Sequence, residues 1–174
     1  MIKKNKKKGI LFWITGLSGA GKTSVANEIK KEISKKFGPT LVFNGDDLRK
    51  IFNLNKYDQK SRLENGKNYG KFAKFITDQN INLIFTVVGL FDQIRVWNKK
   101  NVENYVEIYL KASVLKIKKK RKKKLYFTKS NSIVGIQIKP QFPKKPNFII
   151  KNDFSKNIKE ISNSLLKKIF KVKS

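Results

Sequence analysis

Gly16-Leu17-Ser18-Gly19-Ala20-Gly21-Lys22-Thr23 fits the pattern G-x-x-x-x-G-K-[ST] at every fixed position, and its flanks leave few folds open. Ile10 to Thr15 ahead of it is a compact apolar run that reads as a fully buried central strand. Lys22 to about Lys36 behind it carries Val25, Ile29 and Ile33 on one helical face and lysines on the other. Strand, glycine-rich loop and helix in that order form a phosphate cradle. The glycines let successive backbone N–H groups wrap an anion without Cβ clashes, and the helix N-terminus adds partial positive charge. Lys22 is placed to reach the β- and γ-phosphates of a nucleotide, and the Thr23 hydroxyl to ligate Mg²⁺. A merely structural glycine turn would not need Lys-Thr at its end.

The rest of the chain continues the alternation. Gly38-Pro39 ends the first helix, and Leu41-Val42-Phe43 is the next strand. A loop holding Asn44-Gly45-Asp46-Asp47 leads into a short helix near Leu48. A longer helix from Ser61 to about Gln79 turns Phe72, Phe75 and Ile76 inward. Strands follow at Ile81–Val88, Tyr105–Leu110 and Phe148–Ile150, with helices at Val114–Lys124 and Phe154–Phe170. Tyr126 to Pro146 has no sustained period and carries Pro140, Pro143 and Pro146. This pattern predicts an α/β fold, a three-layer α/β/α sandwich on a central parallel sheet, in a single domain over residues 1–174. Residues 1–9 form a basic tail and about 122–146 a mobile lid.

Composition narrows the chemistry. Without cysteine or histidine there is no disulfide, zinc site or His-based triad, so a catalytic base has to be a carboxylate. The net charge of +29 raises a nucleic-acid reading, but only four arginines (Arg49, Arg62, Arg95, Arg121) stand among many dispersed lysines. Arginine is the side chain expected for bidentate base or phosphate reading, so no specific nucleic acid is expected as a partner. A basic, non-catalytic nucleic-acid-associated protein stays as an alternative. The N-terminal apolar run is too short for a transmembrane span and leads into loop chemistry, which predicts a soluble, cytoplasmic protein without a membrane partner.

Asn44-Gly45-Asp46-Asp47-Leu48-Arg49 follows the second strand, which in a parallel sheet brings its carboxylates to the ligand-binding edge beside the glycine loop. One carboxylate there can take a hydroxyl proton or hold a metal-bound water, and Arg49 can clamp an anion. The same string also reads as a turn and helix cap. A glycine loop does not by itself distinguish a kinase from other nucleotide hydrolases, but the absence of an apolar strand ending in a Walker B aspartate favours a small-molecule kinase.

Trp13 to Thr23 resembles the W-[IL]-T-G-L-S-G-[AS]-G-K-[ST] string of the adenylylsulfate kinase (APS kinase) family. Gly45-Asp46-Asp47-Leu48-Arg49 is similar to its D-G-D-[ND]-x-R. Arg62-Leu63-Glu64-Asn65 with Gly70 and Ala73 is similar to its D-R-x-E-N…G-x-x-A helix. Tyr57 falls where the family has an aromatic, and the similarity runs from about Leu11 to Asp153. The resemblance implies transfer of the γ-phosphoryl of ATP, with Mg²⁺, to the 3′-hydroxyl of adenylyl sulfate in sulfate assimilation. It casts Asp46 and Lys22 as catalytic, Gly16 to Thr23 as the ATP site, and Thr23 and Asp46 as the metal's protein ligands. Arg49, Tyr57, Arg62, Asn65 and Ile133 would bind the acceptor, Tyr57 by stacking on its base. A homodimer is also implied.

Departures gather on the acceptor side. Asn44 replaces the first Asp of D-G-D, and Val88-Gly89-Leu90-Phe91 stands where the family has I-S-P-Y. The flap's F-T-G-[IV]-D corresponds to Ile133-Val134-Gly135-Ile136-Gln137, with isoleucine in place of a second stacking aromatic. Lys120 or Arg121 takes the position of the flap-hinge arginine. A same-family kinase for another nucleotide, such as a cytidine diphosphoramidate-type acceptor, is the alternative these changes raise.

Overall fold

The structure, a computed structural model, describes residues 8–121 and 133–172. Strands β1 (Ile10–Thr15), β2 (Thr40–Asn44), β3 (Asn82–Val87), β4 (Asn104–Lys111) and β5 (Phe148–Lys151) form one sheet in the order β2-β3-β1-β4-β5. Every neighbouring pair is parallel. The expected α/β sandwich is therefore present. Helices α1 (Lys22–Phe37) and α6 (Ile158–Val172) pack together, and α3 (Gln59–Asp78) packs on α4 (Asp92–Asn101). The short helices α2 (Gly45–Ile51) and α5 (Val114–Arg121) follow β2 and β4.

The innermost strand, β1, is buried at every position. Its Trp13 ring stacks on Phe85 of β3 at 5.0 Å, and Tyr69 of α3 packs against Phe85 at 5.6 Å. Register sets the site. Thr15 pairs with Val87 and Tyr109, and Asn44 pairs with Thr86, so β1, β2 and β3 all finish at one sheet edge. Side chains delivered just beyond those ends converge.

Several local expectations are corrected by packing. The second helix begins at Gly45 rather than near Leu48, because Asn44 Oδ1 accepts from the Asp47 amide at 2.9 Å and caps it. The third begins at Gln59, where Asp58 accepts from the Ser61 amide at 2.9 Å.

Phe75 is exposed rather than inward; the buried stripe of α3 runs through Asn65, Gly66, Tyr69, Gly70, Ala73 and Thr77. Glycine holds two places in that stripe because α4 lies close against them. A Cβ on Gly66 would sit 2.0 Å from Ile94 Cδ1, and one on Gly70 2.5 Å from Asn98 Oδ1. Sequence reading misses α4 altogether. Its buried face is Ile94, Arg95 and Asn98, a mostly polar set that hides the helical period.

The segment read as a lid is described only in its second half. Residues 122–132 lie outside the described residues, but Ile133, Val134 and Ile138 are buried in a tight turn where Ile136, Gln137 and Ile138 all donate to the Ile133 carbonyl. The polar, proline-rich letters around it conceal a segment that joins the core. No described helix is long and apolar enough to cross a membrane.

Candidate active site

The loop from Gly16 to Gly21 is held by its surroundings. A Cβ at Gly16 would lie 2.4 Å from the Leu110 carbonyl oxygen, so β4 passes too close for any side chain. Gly21 adopts φ +97 as the N-cap of α1, where it offers no capping side chain, and no acidic residue occupies the first turn. The amides at the start of α1 are thus without a side-chain cap, the condition under which a helix end takes an anion. Lys22 Nζ donates to the carbonyls of Gly16 and Leu17, each at 2.9 Å.

A cleft of about 390 Å³ opens along the sheet edge. One end is the loop, through Ser18, Gly19, Gly21, Lys22 and Thr23; across it stand Asn44, Gly45 and Asp46. Arg49, Tyr57 and Arg62 also line it, and Val87, Val88, Gly89, Phe91, Ile94, Ile133 and Val134 supply its apolar wall. The cap and the cleft-facing roles weighed for Asn44 to Asp47 turn out to be divided between residues. Asp47 is tied to Asn44 through both its amide and its carboxylate, whereas Asp46 faces the cleft.

Lys22, Thr23, Asp46, Arg49, Tyr57, Arg62 and Ile133 therefore share one cavity. Four expected residues do not line it. Leu17 and Ala20 are buried in the core beneath the loop, and Asn65 is buried on α3. Gly16, too, contributes by its close approach to β4.

The basic end is more organised than its letters suggest. Arg49 Nη1 donates to the carbonyls of Leu54 and Lys56 at 2.8 and 3.0 Å, and its guanidinium lies 4.4 Å from the centre of the Tyr57 ring. Arg62 Nε donates to the Tyr57 carbonyl at 2.7 Å, with its guanidinium 5.3 Å from the same ring. The two arginines thus shape the loop that presents Tyr57 as well as charging the cleft. Burial, and then the like charge of Arg49, lowers the Arg62 pKa. That repulsion would be relieved by an anion.

Asn55-Lys56-Tyr57-Asp58 spells the guanine-reading pattern N-K-x-D, a match the sequence reading overlooks. Here Asp58 is committed to Ser61 at the cap of α3, accepting from both its amide and its hydroxyl.

A family model for adenylylsulphate kinase matches residues 8–151, spanning the loop, the cleft and all five strands. The chain belongs to the adenylylsulphate kinase family. Among similar proteins, the cytidine diphosphoramidate kinase of Campylobacter jejuni is 30% identical over 94% of this chain and 98% of its own length. The adenylyl-sulfate kinase of Bacillus velezensis is 31% identical over 84% of this chain and 78% of its own. The Mycobacterium tuberculosis APS kinase solved with AMPPNP and APS shares the fold at 23% identity, with a TM-score of 0.82 over 94% of this chain and 98% of that one. As a member of this kinase family, the protein is a phosphotransferase.

Within this kinase fold, Asn152 is a site-supporting residue that sequence reading misses. It lies just after β5, is almost wholly buried, and its Nδ2 donates to the Ala20 carbonyl in the loop at 2.9 Å. Its own amide donates to the Lys111 carbonyl and its Oδ1 accepts from the Phe154 amide, so β5 braces the loop across the sheet. An asparagine after a last strand carries no distinctive signal. Asn152→Ala is expected to cost roughly 1–3 kcal/mol, the penalty for orphaning buried polar groups. It should also raise the KM for the phosphoryl donor more than that for the acceptor. Denaturant unfolding and donor-varied kinetics check this; no change in either removes the brace.

Proposed function

We propose that this chain transfers the γ-phosphoryl of ATP to a ribose 3′-hydroxyl of a small anionic nucleotide, with a cytidine diphosphoramidate-type compound as the best-supported acceptor. The observation that carries it is the cleft itself. A glycine-rich phosphate loop, a carboxylate and two arginines share one cavity, and Ile133, where the family flap carries a stacking aromatic, and Val134 give it an aliphatic lining. Stacking on an aromatic is worth roughly 1–3 kcal/mol per base, and an isoleucine does not supply it. A pyrimidine, with the smaller face, forfeits less than a purine. Near full-length coverage of the Campylobacter jejuni enzyme supports the same choice. Adenylyl sulfate is the second reading, favoured by the family match and by the Bacillus velezensis relative.

In this reading the loop amides and Lys22 hold the triphosphate, Lys22 exchanging the Gly16 and Leu17 carbonyls for phosphate oxygens. Asp46 takes the proton from the attacking hydroxyl. Arg49 and Arg62 receive the acceptor's anionic group, and Tyr57 its base. A second cavity of about 280 Å³ beside the loop, lined by Lys120, Asn152, Phe154, Lys156, Asn157 and Ile158, would take the donor's nucleoside in this reading.

Mg²⁺ fits the donor set. Thr23 and Asp46 offer one hydroxyl and one carboxylate on the same cavity, and no group of three or more ligating side chains occurs among the described residues. That suits an ion held mainly by phosphates and water. When bound it would neutralise phosphate charge.

An acceptor screen tests the proposal: purified protein, MgATP, and either cytidine diphosphoramidate or adenylyl sulfate, with ADP release and product identity followed. The expected result is a kcat/KM about tenfold or more higher for the cytidine compound, from the stacking difference, with 3′-deoxy acceptors inert. The reverse preference selects the second reading; turnover of neither rejects both.

A further inference from the structure

Behind the apolar wall of the cleft lies an ionic cluster that phosphoryl transfer does not itself employ. Arg95 of α4 is only 5% exposed. Its Nη1 donates to the Gly89 carbonyl at 3.2 Å, and its Nη2 pairs with Asp92 in the first turn of the same helix. Its Nε lies 3.1 Å from Glu107 Oε1 on β4, an ion pair off the hydrogen-bond direction. Burial pushes the Glu107 carboxyl up, and Arg95 opposes that shift. A buried pair of this kind stabilises a fold little better than apolar side chains of the same volume, so stability alone is a weak reason for it.

Arg95 is bonded to both ends of one short segment. Gly89 and Asp92 bracket the turn of which Gly89 and Phe91 line the cleft. Gly89 sits at φ +40, where a Cβ would meet Val87 Cγ1 at 2.7 Å, and residue 90 is leucine, whose backbone no ring restrains. From the other side Gln141 ties the same turn, its amide donating to the Leu90 carbonyl at 2.9 Å and its Oε1 accepting from the Asp92 amide at 2.7 Å.

We propose that Arg95 is a positioning residue for the acceptor: its planar fork fixes the Gly89–Asp92 turn, and Glu107 sets the orientation of that fork. Arg95 touches no substrate. The inference rests on the proposed function, with the acceptor in the cavity that Gly89 and Phe91 also line.

Arg95→Lys keeps the charge and removes the fork. It is expected to raise the acceptor KM about tenfold, in line with the sensitivity of positioned reactions to small displacements. The donor KM should stay within about twofold on the same basis, because no loop contact is lost. Hydrogen–deuterium exchange without any nucleotide should show faster exchange for the amides of residues 89–92 and unchanged exchange in β1. Glu107→Gln should shift the acceptor KM in the same direction by less. If Arg95→Lys does not fold, the double variant Arg95→Met with Glu107→Gln removes both charges together and is read in the same way. Wild-type exchange at 89–92 overturns the proposal, as does a parallel rise in both KM values. If the wild-type protein turns over neither acceptor, the functional reading fails while the exchange measurement still decides whether Arg95 anchors the turn.

Discussion

Asp46→Asn is expected to lower kcat by about 10²- to 10⁴-fold, the range a positioned general base contributes, while the KM for ATP changes little. The chain has no histidine and no cysteine, and Asp46 is the one Asp or Glu side chain lining the cleft among the described residues. Asparagine keeps the shape and loses the capacity to accept the hydroxyl's proton. Folding should be spared, because the cap of α2 is made by Asn44 with Asp47. Single-turnover measurement of ADP formation with the acceptor from the screen checks the rate, and thermal unfolding checks the fold. A variant within about threefold of wild type, far inside that range, would remove Asp46 from proton transfer.

Lys22→Ala should lose about 10²- to 10³-fold in kcat, the scale for deleting one preorganised donor to developing charge, and should raise the ATP KM as well. The two effects have separate origins. In the proposed transition state the ammonium would meet the transferring phosphoryl, whereas in the structure it bonds the Gly16 and Leu17 carbonyls and so shapes the loop. Lys22→Arg is not expected to rescue either, because a wide planar fork cannot occupy the space of a compact ammonium bounded by two carbonyls. Steady-state kinetics with ATP varied, alongside binding of a non-hydrolysable analogue, separates the contributions. Near-normal turnover in Lys22→Ala would break the kinase assignment for this cleft.

The ends of the site differ in how legible they are from letters alone. The loop, its preceding strand and its following helix can be read directly, because phosphate binding there uses backbone amides and tolerates only glycine where β4 presses in at Gly16. The same holds for Asp46, whose place follows from being just past the end of a strand in a parallel sheet. Arg49 is a different case. A cleft arginine can be expected from D-x-x-R spacing, but its bonds to the Leu54 and Lys56 carbonyls depend on a loop path no local pattern encodes.

Local chemistry determined the phosphate loop, the parallel alternation of strands and helices, and the carboxylate that follows β2. These are read from neighbours in the chain: hydrophobic period, glycine spacing and cap residues act over a few positions. Only the tertiary structure decided the remainder. Phe75 yields the inner face of α3 to residues such as Gly66 and Gly70 because a neighbouring helix approaches there, and α4 turns polar Arg95 and Asn98 inward, Arg95 toward Glu107 of β4 and Asn98 against Gly70 of α3. Asn152 reaches Ala20 across 132 positions of sequence. Contacts at that separation depend on which surfaces the sheet brings together, and the sheet order is a property of the whole chain.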